Sequence, residues 1–303
     1  MTDIKLGLFY QSGHKITAPF YSLERFRKYY PTEPIVLYED GASDVLKPVS
    51  DYFKCIYKKT TITGENYETY GKPVYNLESA LDWIERIYLE CNTSLRDCDW
   101  IMLYEDDVWI ENKIEGNPPY DLTGIWSHYI NDELKKYINS NTNDNFGRGG
   151  SIFNRQTFID SYETWKNIDW EKIVAIDRTP VEWSDCTITF YFDYCQKSIG
   201  GWDQLVHCFI SRDFELNKRE SWKTKPQEVD KHTEGAAVIH GYKGYYFPTE
   251  EEIEYVNTKL NEFTKPIISE KINLFEPRLD VMEVKPVYSR KICRNVKKIV
   301  KRF

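Results

Sequence analysis

The chain has 303 residues, 41% hydrophobic and 29% charged, so it can bury a core and lacks the low hydrophobicity of a disordered protein. The formal charge is −8. Residues 289–303 carry seven Lys or Arg and no acid, which leaves residues 1–288 at −15, from 33 basic and 48 acidic side chains. This acidic body argues against a nucleic-acid partner, and no apolar run approaches the roughly 18 residues of a membrane helix.

Cysteine spacing and the first residues indicate a reducing compartment. The seven cysteines, at 55, 91, 98, 186, 195, 208 and 293, are scattered, which argues against a disulfide framework or a structural zinc site. The opening MTDIKLGLFY does not resemble a signal peptide, so we expect a cytoplasmic protein. The 47 aromatic residues suit stacking on sugars or bases, or alternatively a tyrosine-rich core.

The first part of the sequence alternates apolar strands with amphipathic helices. Residues 18–30 and 76–90 have apolar positions at helical spacing. This alternation predicts an α/β domain with a mostly parallel sheet, whose ligands lie outside the carboxyl ends of the strands. The strands are predicted at 6–10, 35–38, 55–57 and 100–104, and they are followed by polar segments at 11–15, 39–44 and 105–107.

The second part is less regular. A polar run at 139–145 predicts a mobile loop, and FGRGGSIFNRQTF at 146–158 predicts a glycine-rich turn, a strand and a helix. Further strands are predicted at 187–194 and 236–240. Because no repeat or proline-rich linker interrupts the chain, we expect one domain over residues 1–265 and an extension over residues 266–303.

The end of that extension has the pattern of a basic amphipathic helix. Ile292, Val296, Ile299 and Phe303 fall at helical spacing, and lysine and arginine fill the remaining face. Such a helix can lie on an anionic membrane surface, or it can be a solvated terminal helix.

An acidic triplet directly follows the apolar strand 100–104. Glu105, Asp106 and Asp107 are adjacent carboxylates that repel one another, and a divalent cation would offset this repulsion while also binding phosphates. The alternative is a solvated acidic turn.

Two further segments could approach a ligand through backbone or carboxylate groups. Asp40, in YEDGASD, could accept hydrogen bonds from a base or ribose, or could form an Asx turn. Gly149 and Gly150, in GRGGS, would let the backbone approach a ligand closely, although the segment lacks the lysine and spacing of a Walker loop.

Three segments contain residues suited to proton transfer or metal binding. Asp185 in EWSD and Asp203 in GGWDQ each lie near a tryptophan in sequence, which could raise the pKa of a general base; a helix-capping role is the alternative. His240, in HGYK, could bind a metal while Lys243 neutralises phosphate, or His240 could be structural.

Taken in order, these segments resemble the GT-A glycosyltransferases, which use nucleotide-diphospho-sugars and have a single Rossmann-like domain. YEDGASD resembles the NDGS-x-D element of inverting family-two enzymes, and WIMLYEDDVWI resembles the strand and DxD motif, with glutamate at the first motif position. The resemblance spans about residues 4–245. It extends to uncharacterised glycosyltransferases of large DNA viruses and some microbes.

The resemblance implies roles for individual residues. Asp40 would bind the base, Glu105 would lie near the ribose, and Asp107 and His240 would hold Mn²⁺ or Mg²⁺. Asp185, or alternatively Asp203, would deprotonate the acceptor. The remaining residues expected to line the nucleotide-sugar site are Gln11, Asp106, Gly149, Gly150 and Lys243.

The expected activity is metal-dependent transfer of a hexosyl or pentosyl group from a nucleotide-sugar, with UDP-sugars favoured, to a glycan or lipid-linked acceptor. An aspartate base would make the reaction inverting, whereas a retaining mechanism needs no such base. Two other functions remain open: a sugar-nucleotide nucleotidyltransferase, for which QSGHK at 11–15 is a poor loop, and a non-catalytic carbohydrate-binding protein.

Overall fold

The structure is a computed structural model that describes residues 4–13, 16–40, 44–60, 77–125, 130–182, 184–207, 236–241 and 248–264. The predicted extension and its amphipathic helix lie outside these residues, as do Trp183 and Lys243. None of the described helices is both long enough and apolar enough to cross a bilayer.

Strands and helices alternate through the first half of the described chain, as predicted. The strands are β1 (Leu6–Ser12), β2 (Ile35–Glu39), β3 (Ile56–Lys59), β4 (Trp100–Tyr104), β5 (Val108–Ile110), β6 (Leu122–Gly124), β7 (Ile152–Asn154), β8 (Ile199–Gly201), β9 (Leu205–His207) and β10 (Val238–His240). The helices are α1 (Thr17–Tyr29), α2 (Lys47–Tyr52), α3 (Leu77–Asn92), α4 (Asp132–Ile138), α5 (Arg155–Lys166), α6 (Trp170–Ile176), α7 (Thr179–Glu182), α8 (Ser184–Tyr194) and α9 (Glu250–Thr264).

The main sheet is mixed and mostly parallel, which confirms the predicted fold class. Its seven strands run in the order β3-β2-β1-β4-β7-β6-β8. Only β7 is antiparallel to its neighbours, β4 and β6. Tyr10 pairs with Tyr104, and Ser12 pairs with Glu39, so β1, β2 and β4 end at the same edge. The polar segments after these strands are thereby brought together.

A second, three-stranded sheet lies beyond β4, in the order β5-β10-β9. β10 runs antiparallel to β5, and His240 pairs with Val108. Since Val108 directly follows Asp107, this register carries His240 to the acidic triplet.

The core consists of two apolar layers, one on each face of the main sheet. β1 shows the alternation: Leu8 and Tyr10 pack with Phe20 of α1, whereas Phe9 packs with Ile84 of α3 on the opposite face. All five residues are at most 1% exposed. Burying each large side chain of this kind contributes about 1.5–3 kcal/mol.

The predicted strand at 187–194 is wrong, because these residues form most of helix α8. Every residue from 186 to 193 is buried. Phe190 packs against the rings of Trp165 and Trp170, and the Tyr191 hydroxyl donates to the Phe158 carbonyl at 2.6 Å. A helix buried on all sides lacks an apolar–polar period, so its aromatic and β-branched residues resemble a buried strand.

The polar run at 139–145 is a loop, as predicted, but hydrogen bonds anchor it. The Ser140 hydroxyl and the Asn141 amide donate to the buried Asp193 carboxylate at 2.5 and 3.0 Å. Asn145 is buried and accepts from the Gly147 amide at 2.9 Å. Through these hydrogen bonds, the loop links α8 to the glycine-rich turn that follows the loop in sequence.

Candidate active site

Three potential metal ligands converge at the carboxyl end of β4. The His240 Nε2 atom lies 3.7 Å from Glu105 Oε2 and 3.5 Å from Asp107 Oδ1. Ligand atoms of these three residues all lie within 4.8 Å of one another. The Asp107 and His240 side chains are buried, whereas that of Glu105 is 39% exposed. The cluster is thus buried on one side and open to solvent on the other.

Backbone contacts fix the turn that carries the two carboxylates. The Val108 amide donates to the Glu105 carbonyl at 3.2 Å, and the Gly241 amide donates to the Asp107 carbonyl at 3.0 Å. The Ser22 hydroxyl of α1 donates to the Val108 carbonyl at 3.1 Å and lies 3.4 Å from that of Glu105. The turn is therefore tied to α1 and to the end of β10.

These residues fit one divalent cation. Carboxylate oxygens and a neutral imidazole are ligands that Mn²⁺-type ions accept. Two ligands of one ion, each about 2.0–2.4 Å from it, lie at most about 4–5 Å apart. The observed separations match this limit, so small side-chain movements would close the site around an ion.

The middle residue of the triplet points elsewhere. The Tyr10 hydroxyl donates to Asp106 Oδ1 at 2.6 Å, and the Tyr10 ring packs edge-on against Tyr104. Asp106 is therefore held against the end of β1 and is absent from the metal-ligand cluster. Sequence alone does not distinguish it from its two acidic neighbours.

The glycine-rich turn borders the cluster, as expected. The Gly150 amide donates to the Leu103 carbonyl at 2.7 Å, and Gly150 has a φ of +87°, a conformation that favours glycine. A Cβ on Gly149 would lie 2.8 Å from Glu105 Oε2 and 3.1 Å from His240 Cδ2. A side chain at position 149 would thus enter the space of the metal ligands.

Asp185 lies in the first turn of α8, on the other side of the glycine-rich turn. A Cβ on Gly147 would come within 2.0 Å of the Asp185 carbonyl, so these segments pack backbone to backbone. Burial raises the pKa of the Asp185 carboxyl to about 6, and the Glu105 charge also raises it, whereas His240 and Arg148 lower it. These interactions place Asp185 within electrostatic reach of the cluster, while the residue keeps some exposed surface.

Gln11 and Asp40 meet at the ends of β1 and β2. The Gln11 side-chain amide donates to Asp40 Oδ2, and the Asp40 amide donates to the Ser12 carbonyl at 2.8 Å. Arg86 of α3 approaches Asp40 Oδ1 to 3.8 Å. Burial raises the pKa of Asp40 to about 7, against the lowering effects of Arg86 and of the Gln11 hydrogen bond.

The neighbour of Asp40 has a structural role. Glu39 is fully buried and accepts from the Val45 and Leu46 amides at 3.0 and 3.2 Å, just before α2. The alternative reading of this segment was an Asx turn formed by Asp40. A carboxylate does accept from the backbone amides just before the next helix. That carboxylate belongs to Glu39.

The alternative base, Asp203, differs from Asp185. Asp203 is exposed in the turn before β9, and the adjacent Trp202 packs against the core. Among the described residues, no contact links Asp203 to the metal-ligand cluster. Its expected role as a base therefore stays a prediction without support from the geometry.

Sequence reasoning missed two residues with clear roles in placing the site. Arg86 reaches Asp40 from α3, and Ser22 holds the Glu105 turn from α1. The only sequence signal for Arg86 is its spacing from Asp82, four residues earlier on a helix, which permits their 2.7 Å ion pair. Ser22 has no comparable signal.

No protein-family model and no curated protein matches the chain. Among solved structures, it is similar to the galactosyltransferase LgtC, solved with donor and acceptor sugar analogues, with 11% identity over 84% of this chain and 95% of that chain and a TM-score of 0.43. It is similar to the bifunctional glycosyltransferase WbbM, with 10% identity over 86% of this chain and 50% of that chain and a TM-score of 0.46.

A further similar structure is the glycosyltransferase GlyE of Streptococcus pneumoniae TIGR4, with 11% identity over 88% of this chain and 64% of that chain and a TM-score of 0.41. At these values the likeness carries no argument about this chain. Function is therefore inferred below from the residues of this chain.

Proposed function

We propose that the protein is a metal-dependent glycosyltransferase that moves a sugar from a nucleotide-diphospho-sugar to a hydroxyl group of a glycan or another acceptor. The observation that carries this proposal is the convergence of Glu105, Asp107 and His240 beside the Gly149 turn. These residues meet at the sheet edge where α/β proteins bind nucleotides.

A cation bound at this site would stabilise the departing nucleoside diphosphate. Glu105, Asp107 and His240 would hold Mn²⁺ or Mg²⁺, which supplies positive charge to offset the charge that develops on the diphosphate. Asp107 and His240 would be the buried ligands, whereas Glu105 is exposed enough to reach a ribose as well. Lys243 is proposed to neutralise phosphate.

The donor would extend from this cluster along the ends of β4, β1 and β2. Asp40 and Gln11 are proposed to bind the base, and Asp106 would help to shape the wall between base and metal. The Gly149 backbone is proposed to face the donor sugar, because it lies directly against Glu105 and His240, two of the proposed metal ligands. We propose a UDP-sugar as the first donor to test.

Asp185 is the proposed general base. A carboxylate with a pKa of about 6 is ionised at neutral pH and accepts a proton more readily than an exposed aspartate. As the acceptor oxygen attacks the anomeric carbon, its proton would pass to Asp185, and the bond to the diphosphate would break. This in-line displacement would invert the anomeric centre.

A panel of nucleotide-sugars, assayed with and without Mn²⁺, tests the proposal. We expect metal-dependent release of nucleoside diphosphate from at least one donor, and a loss of about 100-fold or more in Asp107→Asn. Asp97→Asn, at a side chain that is 92% exposed, is the matched control and keeps full activity.

Four outcomes would contradict the proposal. Donor turnover that is equal with and without metal, or equal in Asp107→Asn and the control, would remove the role of the cluster. Release of pyrophosphate from UTP and a sugar phosphate would instead identify a nucleotidyltransferase. Metal-independent glycan binding with no turnover of any donor would identify a carbohydrate-binding protein.

A further inference from the structure

A buried polar pair joins the glycine-rich turn to helix α8. Asn145, just before the turn, is 1% exposed, and Thr189 of α8 has no exposed surface. The Thr189 hydroxyl donates to the Asn145 side-chain oxygen. Buried polar groups are costly unless their hydrogen bonds are made, so each side chain holds the other in place. We call Asn145 and Thr189 the clamp.

The clamp binds the backbone at the start of the turn. The Phe146 amide donates to the Thr189 hydroxyl oxygen at 3.1 Å, and the Gly147 amide donates to the Asn145 side-chain oxygen at 2.9 Å. Phe146 and Gly147 lie outside any strand or helix, so these two side chains supply the acceptors that regular backbone pairing would otherwise supply. The start of the turn is therefore fixed by the clamp.

The clamp also contacts the first turn of α8, which carries Asp185. The Asn145 side-chain nitrogen donates to Cys186 Sγ at 3.5 Å, and Thr189 Oγ1 lies 3.2 Å from the Asp185 carbonyl oxygen. A Cβ on Gly147 would lie 2.0 Å from the same carbonyl oxygen, so the backbone of the turn directly contacts that of Asp185. The position of Asp185 relative to the turn thus depends on the clamp.

A separate set of contacts anchors the other end of the turn. The Gly150 amide donates to the Leu103 carbonyl at 2.7 Å, and the Leu103 amide donates to the Ser151 carbonyl at 2.8 Å. Between these two anchors, Gly149 lies against the Glu105 side chain. Different hydrogen bonds therefore hold the turn to β4 beside the proposed metal ligands and to α8 beside Asp185.

We infer that Asn145 and Thr189 are positioning residues, which hold Asp185 at a fixed distance from the metal ligands and thereby set the rate of sugar transfer. This inference rests on the proposed function. Every described hydrogen bond of the two side chains goes to the turn, to α8 or to each other. Their loss should therefore leave the affinity for metal and nucleotide unchanged.

The transfer step explains why this distance matters. The acceptor oxygen bonds to the anomeric carbon as its proton passes to Asp185, and the bond from that carbon to the diphosphate breaks. A general base must lie within hydrogen-bond reach of the proton that it takes. A displacement of about 1 Å can slow a reaction about 100-fold.

Thr189→Val tests the inference, because it removes the clamp hydroxyl and keeps the branched shape of the side chain. Its matched control is Thr187→Val. Thr187 lies in the same helix and is 1% exposed, but its hydroxyl donates to the Pro180 carbonyl at 2.7 Å instead of binding the turn. Both changes remove one buried hydroxyl, so an effect on stability alone should be similar in the two variants.

Two further variants complete the set. Thr189→Ser keeps the hydroxyl and serves as the conservative rescue. Thr189→Ala removes the hydroxyl and places the strongest helix former in α8, so it tests the inference if Thr189→Val does not fold.

Three measurements are made on each variant. The first gives kcat and KM for Mn²⁺-dependent release of nucleoside diphosphate from the nucleotide-sugar that wild type turns over fastest, with water as the acceptor. The second is calorimetric titration of the same nucleoside diphosphate with Mn²⁺. The third is hydrogen exchange of the Phe146 and Gly147 amides, without metal or nucleotide.

We expect Thr189→Val and Thr189→Ala to lower kcat by about 10- to 100-fold relative to Thr187→Val, with KM and nucleotide affinity within about 3-fold of that control. The Phe146 amide should exchange about 3- to 10-fold faster than in the control, because its acceptor is lost. Thr189→Ser should keep kcat within about 3-fold of wild type.

Equal kcat in Thr189→Val, Thr189→Ala and the control would overturn the inference and leave the proposed function standing. A nucleotide affinity that falls as much as kcat, or an unchanged exchange rate at Phe146, would overturn it as well. If wild type releases no nucleoside diphosphate from any nucleotide-sugar, the proposed function fails, and the inference fails with it.

Discussion

The contact between the glycine-rich turn and the metal ligands leads to a sharp prediction for Gly149→Ala. The added Cβ would lie 2.8 Å from Glu105 Oε2, whereas ordinary contacts begin near 3.4 Å. The carboxylate oxygen must therefore retreat by about 0.6 Å, which exceeds the roughly 0.2 Å tolerance of metal–ligand distances. Because the Glu105 side chain is 39% exposed, it can move toward solvent at little cost to the fold.

We expect Gly149→Ala to weaken Mn²⁺ binding by about 10- to 100-fold while changing the free energy of unfolding by less than about 1 kcal/mol. Mn²⁺ affinity is measured by titration calorimetry, and stability by urea unfolding without metal. Gly150→Ala is the contrasting variant. Its φ of +87° and a 2.9 Å approach to Val238 Cγ1 predict a loss of about 1–2 kcal/mol or more. Wild-type Mn²⁺ affinity in a folded Gly149→Ala protein would refute the placement of Glu105 among the metal ligands.

Three further predictions concern individual carboxylates. Asp185→Asn should lower kcat by about 100-fold or more with little change in donor binding. The wild-type kcat should fall as pH drops through the Asp185 pKa of about 6. A kcat that does not change with pH would contradict the role of Asp185 as the base. Asp40→Asn should raise Tm at pH 8 but not at pH 4. The pKa of Asp40 is raised to about 7 in the folded state, so the wild-type protein loses stability as pH rises from about 4 to 7. Equal Tm changes at both pH values would contradict this prediction. Glu90→Ala should lower the free energy of unfolding in urea by about 3–5 kcal/mol, because it leaves Lys58 and the Tyr38 hydroxyl without their buried partner. A change below about 1 kcal/mol would show that water replaces the Glu90 carboxylate.

Local patterns were sufficient to predict the strands that carry the site. β1 and β4 are short apolar runs that end in polar residues, and the structure places both in the centre of the sheet. The acidic triplet is visible because its residues are adjacent in sequence. The triplet lies close to His240 because β10 pairs with β5. These two strands are about 130 residues apart, and sequence spacing alone does not predict that they pair.

Side-chain direction and helix burial set the limits of the sequence prediction. Glu105 and Asp107 face the cluster while Asp106 bonds to Tyr10, and this difference depends on the turn geometry after β4. Helix α8 was misread as a strand because it is buried on every side. Arg86 could not be assigned to Asp40, because their contact depends on how α3 packs across β2.

The most direct test is the position of a bound cation. In crystals grown with Mn²⁺ and UDP, diffraction at the manganese absorption edge should give an anomalous peak about 2.0–2.4 Å from one ligand atom each of Glu105, Asp107 and His240. A fully occupied manganese peak elsewhere, or nucleotide bound with no peak between these three side chains, would contradict the metal-dependent mechanism.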